Sequence, residues 1–382
     1  MIAILRRLPW GLVGMLALVC GVERSILKHR ADVTTETAAC WEFAANAATH
    51  EAARSEILGF GDSLMKYGFQ PKVIEARTGR TAYNLAGFAG PPSRDYLMLK
   101  RVLDAGGKPS AIVVCFEVVH LGATPRFHAR RFAEFVTAAE AFDFAWHSRD
   151  PGLFGWLMIG RHVPSIRARF EVRGNVMTAL HGKGMRWADA FYPMRRNWNQ
   201  SRGAHVAPEE PHAPVEAEAA RAKALDLYPD LYHDVSFRKP VEEEYIRRFL
   251  DLAAERKIPV FWVLPPWPPA VEQRQHEVRV TELTDGLTRR MSNAYPNVVV
   301  VDGRSRGYDP AVFCPDDVHL NRRGANAYSR DLGDLIRHRL GGSSPAASWV
   351  SLPRYRAGAM VADLEDLAET VAVLRKAWGE RR

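Results

Sequence analysis

Residues 56–64 read Glu-Ile-Leu-Gly-Phe-Gly-Asp-Ser-Leu. The apolar run is too short for a helix and ends in a glycine and an acid, which marks a buried strand running into a turn. Working outward, four more runs of this kind follow, at residues 81–85 (TAYNL), 111–117 (AIVVCFE), 259–264 (PVFWVL) and 297–302 (NVVVVD), with residues 56–60 as the first strand. Helical stretches lie between them at 93–105, 241–257 and 271–294, and residues 323–340 read as a closing helix. In 241–257 the apolar Tyr245, Phe249 and Leu252 recur at helical spacing, with acids in the first turn and Arg256 and Lys257 in the last, matching the helix dipole. Alternating strands and helices predict an α/β fold on a five-stranded parallel sheet.

With 382 residues, 47% hydrophobic and 25% charged, the chain has the composition of a globular protein, which excludes disordered, collagen-like and disulfide-scaffold classes. Lysine and arginine number 52 against 44 acids, but the basic residues are scattered, so no nucleic-acid partner is indicated. Cys20, Cys40, Cys115 and Cys314 form no CxxC pair, hence no metal knuckle or disulfide framework. The main domain is expected over about residues 50–340. Strands three and four are about 140 residues apart, so residues from about 125 to 240 form an insertion. Inside it 132–144 and 214–227 read as helical and 204–214 as an irregular loop. Residues 341–382 read as a Gly/Ser/Pro linker and an amphipathic C-terminal helix. There Met360, Leu364, Leu367, Val371, Leu374 and Trp378 form a coiled-coil-like seam, suited to docking on the chain's own domain or to self-association.

The N-terminus (1–30) reads as a signal sequence or membrane anchor: Arg6 and Arg7 precede an uncharged run, 8–22. This run of 15 residues is shorter than a bilayer span, but residues 1–5 are also apolar and no small-x-small cleavage site follows. An uncleaved anchor is favoured over a buried helix, and Val19 fits a lipoprotein signal at Cys20 poorly. Arg24, Lys28 and Arg30 on the far side leave the orientation open. The expected location is exported and membrane-anchored, periplasmic or otherwise extracytoplasmic.

Gly61-Asp62-Ser63-Leu64 puts a serine hydroxyl at the carboxyl end of the first strand, the edge where open α/β sheets bind ligands. Asp316-Asp317-Val318-His319 follows the last strand on a loop opening on the same edge. A serine nucleophile needs a base, and an imidazole base needs an acid to fix its tautomer and stabilise its charged form. Ser63, His319 and Asp316 supply all three.

These two blocks, in this order around a five-stranded alternation, resemble the SGNH or GDSL hydrolases, in a divergent, exported, membrane-anchored branch linked in bacteria to acylation or deacylation of cell-surface polymers. The resemblance covers roughly residues 56–122 and 241–340. It implies a flavodoxin-like three-layer sandwich with Ser63 as nucleophile, His319 as base and Asp316 as its partner. Residues 83–92 (YNLAGFAGPP) are similar to the family's second block, whose glycine gives an oxyanion-hole amide; Gly90 is the choice and Gly87 the alternative, alongside the amide of Ser63. The chain departs from the family in the third block, where Cys115-Phe116-Glu117-Val118-Val119-His120 stands in place of Gly-x-Asn-Asp. His120 is the candidate for the missing donor, or else a buried histidine capping a loop. One lost donor of this kind costs about 3 kcal/mol of transition-state stabilisation.

Blander readings compete at each point. Asp62-Ser63 fits a helix cap without chemistry. Residues 303–307 (GRSRG) match the G-x-S-x-G elbow, but Tyr308-Asp309-Pro310 breaks the helix that an elbow requires. Asp316, Asp317 and His319 could ligate a metal, yet no second cluster sits at ligand spacing. His128, His147, His162, His181, His205, His212 and His233 fall in the insertion without a metal motif. Trp267 between two proline pairs could wall the active edge or pack as an ordinary loop. Arg126, Arg130 and Arg131 could meet an anionic polymer, but a solvated helix face is the better fit. The expectation is a serine esterase or acyltransferase, without metal or cofactor, whose substrate is O-acylated carbohydrate or a small ester. The alternative is a non-catalytic scaffold of cell-surface polymer assembly on the same fold.

Overall fold

The computed structural model describes residues 10–29, 36–122, 125–169, 191–209, 241–316, 318–342 and 348–379, with positions 173, 177 and 180–182. Arg6, Arg7, the 214–227 helix, His212, His233 and Asp317 lie outside the described residues. In chain order the named elements are α1 (Trp10–His29), α2 (Glu36–Ala48), β1 (Ile57–Gly61), α3 (Ser63–Gly68), α4 (Pro71–Thr78), β2 (Ala82–Asn84), α5 (Pro92–Asp104) and β3 (Ala111–Cys115). There follow α6 (Pro125–Phe132), α7 (Ala138–His147), α8 (Pro151–His162), α9 (Pro164–Arg167), α10 (Phe191–Gln200), α11 (Val241–Glu255), β4 (Val260–Leu264), α12 (Pro269–Glu277) and α13 (Val280–Ala294). The last are β5 (Val298–Asp302), α14 (Arg322–Leu340), β6 (Trp349–Ser351) and α15 (Leu367–Gly379).

The chain divides into two compact units, residues 1–39 with 125–192, and residues 40–124 with 193–382. The second holds an α/β sheet of six parallel strands in the order β2-β1-β3-β4-β5-β6. The expected count of five is corrected to six. Trp349-Val350-Ser351 lies just past the linker and is only partly buried, so its three residues carry no apolar run, and pairing with β5 makes them a strand. The strands β1, β3 and β4 are buried at every position, as continuous apolar runs require. Side chains alternate: Ile57, Val113, Phe261 and Val263 pack with Tyr328, Leu332 and Ile336 of α14. The ring of Phe60 meets Phe249 of α11 at 5.2 Å. Helix α14 packs on α4, tied by a bidentate Arg77–Asp334 pair, and α11 packs on α5.

Three helical expectations change. The 271–294 stretch is two helices, because Arg279 takes a left-handed φ of 65° between α12 and α13. The 132–144 stretch breaks after Phe132, and α7 starts at a capping box between Thr137 and Glu140. In the C-terminal seam α15 begins only at Leu367, where Asp366 accepts from the Glu369 amide and Glu369 accepts from that of Asp366. Met360 and Leu364 therefore precede the helix. Leu364 packs with Val73 and Val206, and Asn197 bonds Thr370, which docks this tail on its own unit.

In the first unit Phe132 of α6 and Phe144 of α7 meet at 4.6 Å, α8 packs on α6 and α7, and α9 contacts α1. No helix among the described residues is long and apolar enough to cross a membrane.

Candidate functional site

Strand β1 ends at Gly61, where only glycine fits. Its φ is +132°, and a side-chain carbon at this position would lie 2.6 Å from the Cys115 carbonyl oxygen. The chain then turns into α3. Asp62 caps it, Oδ1 accepting the Leu64 amide at 2.9 Å, and Ser63 stands at the first helical position at the carboxyl edge of the sheet. Ser63 is half-buried, and its hydroxyl and amide make no hydrogen bond among the described residues.

On the loop before α14, Asp316 Oδ1 accepts the amides of Val318 and His319 at 2.9 and 3.0 Å, and Oδ2 lies 2.6 Å from His319 Nδ1. Burial opposes the charge on Asp316, but the His319 contact and the two amides outweigh it and hold the carboxyl down at about 2. Asp316 is thus a carboxylate that fixes the ring and can stabilise it as a cation. The other nitrogen, His319 Nε2, is buried and without a hydrogen-bond partner among the described residues.

Two contacts bring this loop to the serine helix. The His319 ring stacks on Tyr67 with centroids 4.3 Å apart and planes at 24°. Tyr67 is four residues after Ser63, so the two share one face of α3, about 5–6 Å apart. Val318 and Leu64, the neighbours of the two candidate catalytic residues, meet in a small apolar cluster with Trp267 and Val271. The proline-flanked Trp267 is therefore packed in this cluster rather than standing free as a wall.

The glycine amides are placed differently from the expectation. Gly87 donates to the Gly61 carbonyl and Gly90 to that of Gly87, both at 3.0 Å, so neither amide is free to hold an oxyanion. Gly87 passes over the Arg94 guanidinium, where a side-chain carbon would lie 2.7 Å from Arg94 Cζ. Between them the amides of Phe88 and Ala89 make no hydrogen bond among the described residues, and Ala89 has a left-handed φ of 49°. With the Ser63 amide they are open donors at this edge among the described residues. Neither Phe88 nor Ala89 carries a sequence signal for the role.

His120 Nε2 lies 2.9 Å from Asp62 Oδ2, which commits that nitrogen and leaves Nδ1 as the ring's open position. Burial alone would lower the His120 pKa, but the bond to Asp62 and the charges of Asp62, Glu117 and Glu242 raise it above the ordinary value. Burial also pushes Glu117 and Glu242 up to about 7. Glu242 accepts from the amide and hydroxyl of Ser93, and Arg94 and Asp95, both fully buried, pair at 2.9 Å. A layer of ionisable groups thus underlies the serine turn.

His205 is a site neighbour that sequence reasoning missed. It lies 4.6 Å from Tyr67 and 5.5 Å from Phe88, centroid to centroid, on a segment bound by His205 N to the Lys66 carbonyl and Asn84 N to that of Arg202. Burial, with the charges of Lys66 and His319, lowers its pKa to about 4, so the ring is neutral at pH 7. Lys66 itself is buried, its ammonium 3.3 Å above the Trp198 ring centroid.

In the G-x-S-x-G stretch the Ser305 hydroxyl bonds Glu272, with no histidine between them. Among the described residues no group of three or more His, Cys, Asp or Glu could hold a metal ion. No family model matches the chain, and no curated protein matches its sequence.

Proposed function

We propose that this chain is a serine esterase or acyltransferase of SGNH type that works through an acyl-enzyme on Ser63. The observation that carries the reading is the environment of His319: Nδ1 is held by an ionised Asp316, Nε2 is buried and without a hydrogen-bond partner among the described residues, and the ring stacks on Tyr67, four residues after Ser63. In the proposed reaction the Ser63 oxygen adds to the acyl carbonyl as its proton passes to His319 Nε2. The tetrahedral oxyanion is met by the open amides of Ser63 and of the Phe88–Ala89 turn. It collapses, the ester C–O bond breaks, and the leaving alcohol takes the proton from His319. Water or a second hydroxyl then releases the acyl group by the same steps in reverse.

The strand order 2-1-3-4-5, with α14 and α11 against alternate side chains of the strands, supports a flavodoxin-like three-layer arrangement. O-acylated carbohydrate at the cell surface is the proposed substrate, on the strength of the resemblance and of the N-terminal segment, which is read as a membrane anchor. One observation favours the rival reading of a non-catalytic scaffold: the amides of Gly87 and Gly90 are both spent on backbone carbonyls. A fluorophosphonate probe separates the two. Covalent labelling that disappears in Ser63→Ala and falls sharply in His319→Ala supports the enzyme. A wild-type protein that binds acylated polysaccharide without labelling or ester turnover supports the scaffold.

A further inference from the structure

Helix α1 has an unusual surface for a protein in water. From Trp10 to Val22 every residue is exposed, on all sides of the helix, and the stretch carries no charge. A helix apolar all round needs an apolar medium. At Glu23 this changes: its side chain is buried and accepts from the amide and hydroxyl of Ser165, at the start of α9. The foot of α1 is thus bonded to the helical unit of residues 1–39 and 125–192.

That unit exposes large apolar side chains along the contacts leading from the foot. Ile166 follows Ser165 on α9, and Ile159 on α8 is half exposed. Phe154 of α8 meets Phe142 of α7 at 6.1 Å, and Phe142 stacks on Trp146 at 6.3 Å. Phe142 and Trp146 are 59% and 72% exposed, far more than a packed aromatic pair retains. Cations accompany them: residues 125–192 hold ten Lys/Arg against six Asp/Glu, and Arg24, Arg149 and Arg169 are exposed. Exposed tryptophan and phenylalanine beside arginine, in the unit to which an apolar helix is bonded, is the chemistry of the lipid headgroup layer.

We propose that this helical unit seats on an anionic lipid leaflet, with α1 entering the bilayer and Ile159, Ile166, Phe142 and Trp146 in the headgroup layer. The inference rests on reading α1 as an anchor. It adds a second, interfacial contact that holds the unit against the membrane rather than leaving it on a free tether. Aromatic rings supply the apolar contact and arginines the attraction to anionic headgroups, which falls with salt.

The test uses the full chain in a Cys20→Ser background, with Trp146→Cys or Ile166→Cys carrying an environment-sensitive fluorophore. Co-flotation with vesicles reads α1, and the label reads the interfacial collar of Ile159, Ile166, Phe142 and Trp146. The proposal expects co-flotation together with a blue shift at both labels, stronger in phosphatidylglycerol-containing vesicles than in phosphatidylcholine alone and weakened by salt. Protein that co-floats with unshifted labels overturns the collar while leaving the anchor standing. Absence of co-flotation overturns the anchor and the collar with it. Labels already shifted without vesicles, in a particle of twice the chain mass, assign the face to a second copy and also overturn the proposal.

Discussion

Asp62 divides its two carboxylate oxygens between the start of the serine helix and the end of the third strand: Oδ1 caps Leu64 at 2.9 Å, and Oδ2 holds His120 Nε2 at 2.9 Å. The residue before the candidate nucleophile is therefore positioned from two sides, and the histidine that stands where the resemblance leads one to expect asparagine is anchored through it.

The first prediction separates two roles for His120. His120→Ala lowers kcat by about 10²-fold with KM nearly unchanged, as for a contact made mainly in the transition state. It also leaves Asp62 Oδ2 without its donor, at about 1–3 kcal/mol of stability. His120→Gln offers an amide that can still reach Asp62 but lacks the Nδ1–H that the ring carries beside Nε2–H only as the imidazolium. Urea denaturation should show stability restored in Gln, and steady-state kinetics should show kcat still low. Recovery of kcat in Gln would mean that holding Asp62 is all that His120 does.

A second prediction concerns pH and stability. Glu117 and Glu242 titrate near 7 in the folded chain and near 4.5 when unfolded, so the folded state binds more protons between these values. His120, raised above its unfolded value, adds stability that is present below about 6.5 and lost as pH rises through its folded pKa. Asp316, shifted down, acts only at lower pH, whereas His205, lowered to about 4, gains stability until its unfolded value of about 6.5 is passed and so offsets part of this loss without reversing it. The melting temperature should therefore fall from pH 6.5 to 8, and Glu242→Gln should flatten that fall. A rise over the same window would contradict the buried layer.

The central strands were legible because a parallel strand covered on both faces must be a run of Val, Ile and Leu, and such runs cannot be mistaken when glycine or acid closes them. The two polar blocks were legible through their place after strands. Other features depended on contacts far along the chain. His205 reaches Tyr67 only because residues 201–205 are bonded to the backbone of Asn84 and Lys66, and nothing local marks it. The left-handed backbone at Ala89 and Arg279 runs against the preference of both residue types, so neither residue signals it in the sequence. The pairing of His120 with Asp62 spans 58 positions, so the sequence suggested a donor at 120 without showing what holds it.

Gly87→Ala tests the loop above the buried arginine. The new carbon would sit 2.7 Å from Arg94 Cζ, and Arg94, fully buried against Asp95, has little room to retreat. Overpacking of this kind costs about 1–3 kcal/mol. Urea denaturation should show that loss, with activity reduced because the shifted loop carries the Phe88 and Ala89 amides. A variant as stable as wild type would show that the loop yields freely.

The last prediction concerns the acid. In Asp316→Asn the amide can still cap the Val318 and His319 backbone through its oxygen, so the loop should keep its shape. What changes is the partner of His319 Nδ1: the uncharged amide no longer stabilises an imidazolium, and turned nitrogen first it favours the wrong tautomer, with the proton on Nε2. That nitrogen must be free to take the Ser63 proton. The rate on an activated acetyl ester should fall by about 10³–10⁴-fold, with circular dichroism unchanged. Because the three groups act as a unit, adding Ser63→Ala should cost little beyond the larger single effect. Single-turnover measurements on the two single variants and the double variant check this. Additive losses would mean that Asp316 and Ser63 act independently, and the charge relation between Asp316 and His319 would then serve the loop rather than the reaction.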